Sequence, residues 1–269
     1  MNILIIGNST ENFCNLIKQS DLFDKLIIAT STPPSGVANI EYNDFDDLVN
    51  KIKSLQIDIS IITDTKLIKN GLADFLKSKY INTISVNKKW FNLESSRLVA
   101  KELLKHYSIN IPNIILAPKE FPIIIKTDSP DSSKIAYSMT DLVSAVKKLS
   151  GKKTFLEEFL DGPCYSLLTL WDGKSAYHIQ GKTSFTEVQQ DRLELLKTKF
   201  NIMFSDENAN FIGFFSTKLI WAKNDWYVLE FNMGLCEQMI IERINQDFIY
   251  LLNTAIYQKI NELDSNKTF

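Results

Sequence analysis

Trp226-Tyr-Val-Leu-Glu-Phe-Asn-Met-Gly-Leu-Cys-Glu237 opens as an aromatic and β-branched run and closes in polar residues. Such a run predicts a buried strand. Its end carries Glu230 and Asn232, two residues apart. The period of two puts both side chains on one face of the strand. A carboxylate and an amide oxygen side by side are hard oxygen donors, suited to Mg²⁺. Taken alone, the pair also reads as an ordinary solvent-facing strand end, so the surrounding pattern has to decide.

Around this stretch, Gly213–Ala222 predicts a partner strand, turning at Lys223-Asn-Asp225. Asp247–Ile256 predicts a helix packing through Phe248, Leu251, Leu252, Ala255 and Ile256, and Asn261–Phe269 a polar tail. Upstream, Phe121–Lys126 is a strand ending in a lysine, followed by the polar, turn-forming loop Thr127–Lys134. Thr140 is the expected cap of a helix with Leu142, Val143, Val146 and Leu149 on its apolar face. Lys152–Gly162 reads as a strand running into a turn, with Ser166–Trp171 as its partner. Asp172-Gly173 signals a hairpin into Ser175–Gln180, and Thr186–Phe200 an amphipathic, charge-rich helix.

At the other end, Ile3–Gly7, Leu26–Thr30, Ile57–Thr63 and Asn82–Val86 are short, continuously apolar and β-branched. Runs of that kind suit strands covered on both faces. Helical patterns lie between them, as in Phe45 to Leu55, which predicts a parallel α/β sheet. The first turn, Gly7-Asn8-Ser9-Thr10-Glu11, has one glycine and a negative charge, so it reads as structural rather than as a phosphate cradle. Leu93–Tyr107 predicts a single amphipathic linker helix capped by Asn92, with Arg97 on it as a solvated charge or a ligand.

The chain has 269 residues, 45% hydrophobic, with 30 Lys and Arg against 32 Asp and Glu, for a net charge of −2. That supports a real core in two or three domains and offers no basic field for nucleic acid or an anionic membrane. Cys14, Cys164 and Cys236 are scattered, which reads as reduced thiols in a cytosolic protein. Two histidines, His106 and His178, leave little for zinc or His-dependent catalysis. No run reaches the length of a membrane span.

The order of these pieces resembles the ATP-grasp ligases, in particular the glycinamide ribonucleotide synthetase (phosphoribosylamine–glycine ligase) family, over most of the chain. Leu93-Glu-Ser-Ser-Arg97 is similar to the family's L-E-G-S-K, and Phe121–Asp128 to Y-P-x-V-x-K-A-D. Glu157-Glu-Phe-Leu-Asp-Gly162 matches E-E-F-L-D-G, Gly213-Phe-Phe resembles G-F-L, and Leu229–Asn232 resembles I-E-F-N. The resemblance implies an α/β chain with a Rossmann-like pre-ATP-grasp domain at 1–92 and a two-lobed α+β ATP-grasp domain at 93–269. The small lobe would run over about 111–171 and the second lobe over about 172–269.

It further implies that Arg97 and Lys126 meet the ATP phosphates and that Lys134 belongs to the loop folding over them. Glu157, Glu158, Phe159 and Leu160 would form the hinge that offers backbone groups to the adenine edge. Glu230 and Asn232 would hold Mg²⁺ (or Mn²⁺). The implied activity is an ATP- and Mg²⁺-dependent carboxylate–amine ligase acting through an acyl phosphate on small-molecule substrates in the cytoplasm, with no catalytic side chain singled out. The alternative is a non-catalytic nucleotide-binding module or partner scaffold.

The departures are specific. The loop before Lys134 has no glycine, Pro163-Cys164 stand where the family has two acidic residues, and the run Asn232-Met-Gly-Leu-Cys-Glu237 lacks the family's arginine. Ser9-Thr-Glu-Asn12 replaces Gly-Gly-Arg-Glu, and the glycine-rich substrate segment is missing or replaced by Thr186–Phe200. These changes argue against phosphoribosylamine as the amine.

Overall fold

The computed structural model describes residues 1–263; the part of the expected polar tail from 264 onward lies outside them. The first unit runs β1 (Asn2–Ile6), α1 (Glu11–Lys18), β2 (Lys25–Ala29), β3 (Ala38–Asn39), α2 (Phe45–Ser54), β4 (Ile59–Ile62), α3 (Thr65–Lys69), α4 (Leu72–Ser78) and β5 (Thr83–Ile84). Its strands lie in the order β3-β2-β1-β4-β5 and every pairing is parallel. β1 sits at the centre with Ile3, Leu4, Ile5 and Ile6 fully buried, alternating between two separate cores. Apolar groups at every position, not at every second one, are what a strand covered on both faces requires. Gly7 follows at φ +120°, where a Cβ would stand 2.6 Å from Thr63 Oγ1, so the turn is closed by packing.

The one helix predicted over Leu93–Tyr107 is two: α5 (Lys88–Ser95) and α6 (Arg97–His106). Asn87 caps the first, and Ser96, in extended conformation, caps the second. The break is held from outside the helix. Asp128 Oδ1 accepts from Ser96 Oγ at 2.8 Å and from Leu98 N at 3.0 Å. A carboxylate that captures the free N–H groups of a new first turn favours starting the helix again.

Then come β6 (Ile114–Ile115), β7 (Ile123–Thr127), β8 (Ser133–Ala136), α7 (Met139–Lys148) and β9 (Thr154–Glu158), an antiparallel sheet in the order β6-β9-β7-β8. Ile123, Ile125 and Ala136 pack on Leu142, Ala145 and Leu149 as a core of their own. Ser138, not Thr140, caps α7. The sheet takes Leu142, Ala145 and Leu149 as the packed face of α7, so Val143 and Val146 point outward, in place of the apolar face predicted for them.

The rest runs β10 (Cys164–Trp171), β11 (Ala176–Ile179), α8 (Glu187–Asp206), β12 (Gly213–Ala222), β13 (Asp225–Asn232), α9 (Glu237–Arg243) and α10 (Phe248–Ile256). β10 is not the partner of β9. It pairs along its whole length with β12, from Cys164 opposite Ile220 to Trp171 opposite Gly213, in a sheet ordered β11-β10-β12-β13. Residues predicted for the end of the small lobe thus belong to the second sheet. That sheet shares both large cores with the first unit, and Ser85 N donates to Ile212 O at 2.7 Å to join the two. No helix among the described residues is long and apolar enough to cross a membrane.

Between β9 and β10 the chain passes close under the β12–β13 turn. A Cβ on Gly162 would lie 2.0 Å from the carbonyl oxygen of Trp221, a contact that backbone cannot yield cheaply. Gly162→Ala is therefore expected to destabilise the protein by about 1–3 kcal/mol. The denaturation midpoint reads this directly, and an unchanged midpoint would contradict the approach. On β11, His178 places Nδ1 3.0 Å from Thr169 Oγ1. Burial, then the nearby Lys197 charge, push its pKa down to about 3. The unfolded chain binds a proton below its ordinary value of 6.5 that the folded chain refuses, so stability falls as pH drops from about 6.5 toward 3. The slope reaches at most about 1.4 kcal/mol per pH unit. Urea midpoints at pH 7, 6 and 5 are expected to decline in the wild type and to flatten in His178→Gln.

Candidate functional site

The face of the β6–β9 sheet turned away from α7 carries the charges. Register pairs Ile124 with Glu157 and Lys126 with Phe155, on the side opposite Ile123 and Ile125. Glu157 is completely buried. Its Oε2 lies 2.8 Å from Lys126 Nζ and its Oε1 2.5 Å from Lys101 Nζ of α6. Burial draws the Lys101 amine below its ordinary value, with Glu157 working against that. Lys101 stands one turn after Arg97, so both cations share a helix face.

Across the cleft, β13 presents Glu230 because of a bulge. Lys218 pairs with Glu230 but Leu219 pairs with Val228, leaving Leu229 as the extra residue. Trp226, Val228 and Phe231 therefore all face the core under α8, and Glu230 turns to the cleft instead of into it. Glu230 Oε2 meets Arg97 Nη2 at 3.1 Å, and Oε1 lies 3.7 Å from Lys218 Nζ. Asn232, exposed and opposite Ser216, shares that face and donates from Nδ2 to Ser216 Oγ at 3.4 Å.

Arg97 is a buried hub, not a solvated charge. Its Nη1 donates to Thr127 O at 3.0 Å, Ser129 O at 2.9 Å and Ser132 O at 3.3 Å. Thr127 Oγ1 ties the same loop by donating to Ser129 O at 2.7 Å. The loop expected to wrap phosphates thus turns carbonyl oxygens inward around a guanidinium. Lys134 follows it on β8 opposite Ile125, so register assigns it to the α7 side. It does not join Lys126, because the tight loop begins the return strand before the lysine.

The expected hinge is divided. Glu157 and Glu158 lie inside β9, and Phe159 and Leu160 lie beyond its end. The Glu158 side chain accepts from Asn113 N at 3.0 Å and from Lys223 Nζ at 2.6 Å, fastening the small sheet to the β12–β13 turn. Burial alone would raise its pKa; the hydrogen bonds from Lys223 and Asn113 outweigh it and hold the carboxyl below the usual range. Leu160 packs with Ile220 and Ala222.

Arg97, Lys126, Glu157 and Glu230 are thus brought together, with Asn232 at the margin. The sequence reading missed two neighbours. Lys101 could have been found from its four-residue spacing to Arg97. Glu94, inside the Leu93–Arg97 motif, accepts from Met233 N at 2.6 Å, and burial raises its pKa, Glu230 adding to the shift. The space among Glu94, Arg97, Lys101, Pro130 and Glu230 is about 10 Å³, room for one water. The turn after β1 is also filled: Thr10 donates from N and Oγ1 to Glu237 Oε2 at 2.8 and 2.6 Å.

No protein-family model matches the chain. A phosphoribosylamine–glycine ligase from Fusobacterium nucleatum is 21% identical in an alignment covering 98% of this chain and 75% of the relative. Among solved structures, phosphoribosylamine–glycine ligase from Thermotoga maritima superposes with a TM-score of 0.75 at 18% identity, covering 96% of this chain and 76% of that one. D-alanine–D-alanine ligase from Bacillus anthracis, solved with ATP, gives 0.63 at 15% identity, covering 98% and 99%. The chain therefore carries the ATP-grasp fold, and it resembles the phosphoribosylamine–glycine ligases along nearly all its length.

Proposed function

We propose that the protein is an ATP- and Mg²⁺-dependent carboxylate–amine ligase that acts through an acyl phosphate. One observation carries this reading. Three buried cations, Arg97, Lys101 and Lys126, converge between the two antiparallel sheets against the carboxylates of Glu157 and Glu230. Burying charge is costly, and with Glu94 and Lys218 at the same place the cations still outnumber the carboxylates four to three, which fits a cleft made for a polyanion. Residues 1–92 would be the pre-ATP-grasp domain and 93–269 the ATP-grasp domain, with the small lobe ending between β9 and β10.

Lys126 would hold the ATP phosphates, joined by Arg97 once it leaves Glu230. Phe159 and Leu160, past the strand end, would offer backbone groups to adenine. Glu230 and Asn232 supply two hard oxygen donors on one face, which fits Mg²⁺ (or Mn²⁺) that keeps water and phosphate as its other ligands. When bound there, the metal would offset phosphate charge. A small carboxylate would attack the γ-phosphate, releasing ADP and leaving an acyl phosphate, and an amine would then displace phosphate. Phosphoribosylamine is not the amine we propose. In the turn after β1 the Glu237 carboxylate already takes the Thr10 amide and hydroxyl, and its negative charge there opposes a substrate phosphate. An ATP-consuming ligase of this type would work in the cytoplasm.

A second reading, a non-catalytic nucleotide-binding module or partner scaffold, is favoured by the engagement of Arg97 with Glu230 and three carbonyls. Thermal unfolding with ATP separates the two. At 100 times its Kd, a ligand stabilises the native state by about 2.7 kcal/mol. The expected shift needs Mg²⁺ and disappears in Lys126→Ala; no shift in the wild type would remove the nucleotide site. Glu230→Ala is expected to abolish Mg²⁺-dependent ADP formation while the far-ultraviolet spectrum stays unchanged. Normal turnover in that variant would sink the metal assignment, and a protein whose phosphate release no carboxylate and amine pair stimulates would be the scaffold.

A further inference from the structure

Glu157 has no exposed surface, and each of its oxygens belongs to a different lysine on a different element. Lys101 comes from α6, Lys126 from β7 and the carboxylate from β9. The three groups carry two positive charges and one negative, a net of +1 enclosed at the cleft. An ammonium has three donors, and Lys126 stands in an ion pair with one oxygen of Glu157. With Lys101 absent, Glu157 would have Lys126 as its only cation in this cluster. The ammonium would then be bound wholly to the carboxylate, and the cluster would be neutral.

We infer that Lys101 is a further positioning residue of the nucleotide site: by taking one oxygen of Glu157 it leaves Lys126 with spare donors and the cleft with a net positive charge toward the phosphates. This rests on the nucleotide reading above. Lys101 reaches the ligand through Glu157 and Lys126, not by contact. A merely structural lysine would matter for stability and not for the charge count.

The count makes the test. Lys101→Met leaves the cluster neutral, Glu157→Gln leaves it at +2, and the two together restore +1. Isothermal titration with a non-hydrolysable ATP analogue and Mg²⁺ measures each, with thermal unfolding run alongside. Lys101→Met is expected to bind at least about tenfold more weakly than the wild type. The double variant is expected to return to within about threefold of wild-type affinity, because charge and not shape was lost. Binding by the double variant as weak as by Lys101→Met would overturn the inference, as would unchanged binding by Lys101→Met. Should Lys101→Met fail to fold, Glu157→Gln alone decides: tighter binding than the wild type supports the inference, and equal or weaker binding overturns it. A wild type that binds no analogue overturns the nucleotide reading and the inference together, whereas wild-type binding with indifferent variants overturns the inference alone.

Discussion

A carboxylate with no exposed surface has to be answered by cations, and Glu157 draws its two answers from α6 and β7. That requirement sets how the linker helix lies on the small sheet. Removing one partner of a buried ion pair costs about 3–5 kcal/mol, since the remaining charge has no water to turn to. The cluster is thus a structural fastening whose charge surplus also gives the cleft its character. On the proposed reading, stability and anion preference would come from the same three side chains.

Arg97 plays the matching part at the other end of that helix face. It gathers the carbonyls of Thr127, Ser129 and Ser132 and reaches across to Glu230, so one guanidinium joins the small sheet, the linker helix and the second-lobe sheet. In this arrangement the cleft is closed and Glu230 is already neutralised. On the proposed reading, a metal at Glu230 and phosphates at Arg97 would each release the other from that pair. Glycines in the loop would have left amide groups open; serines, a proline and an aspartate leave it folded about a cation instead.

Core architecture separates what is fixed from what can shift. The first unit and the second-lobe sheet share two hydrophobic cores and form one body. The small sheet has its own core with α7 and is tied to the rest by polar contacts, among them the Arg97 bonds, the Lys101–Glu157 pair, the Asp128 bonds to α6 and the Glu158–Lys223 pair, and by the Leu160 cluster. Gly162 lies where the chain leaves it, pressed on the Trp221 carbonyl. Its place in the Glu157–Gly162 motif is explained by this approach, since no special turn geometry is needed there.

Continuous apolar runs determined the parallel sheet, because a strand buried on both faces has to be apolar at each position whatever surrounds it. The same local logic placed the β12–β13 hairpin, α2 and α10, and put Glu230 and Asn232 at a strand end. Only the tertiary structure decided that Leu229 bulges out. Without that extra residue Glu230 would share parity with Trp226 and Val228 and point into the core. Nor does the sequence hold the break at Ser96, which depends on Asp128 thirty-two residues away, or the sheet to which β10 belongs. Lys134, expected at the phosphates, is turned to the α7 side by register, and Lys101, which the sequence reading did not single out, is drawn in by Glu157. Periodicity and capping are interactions among near neighbours and are written in the order of residues. Register, bulges and the pairing of buried charges are settled between segments far apart in the chain, where only packing brings the partners together.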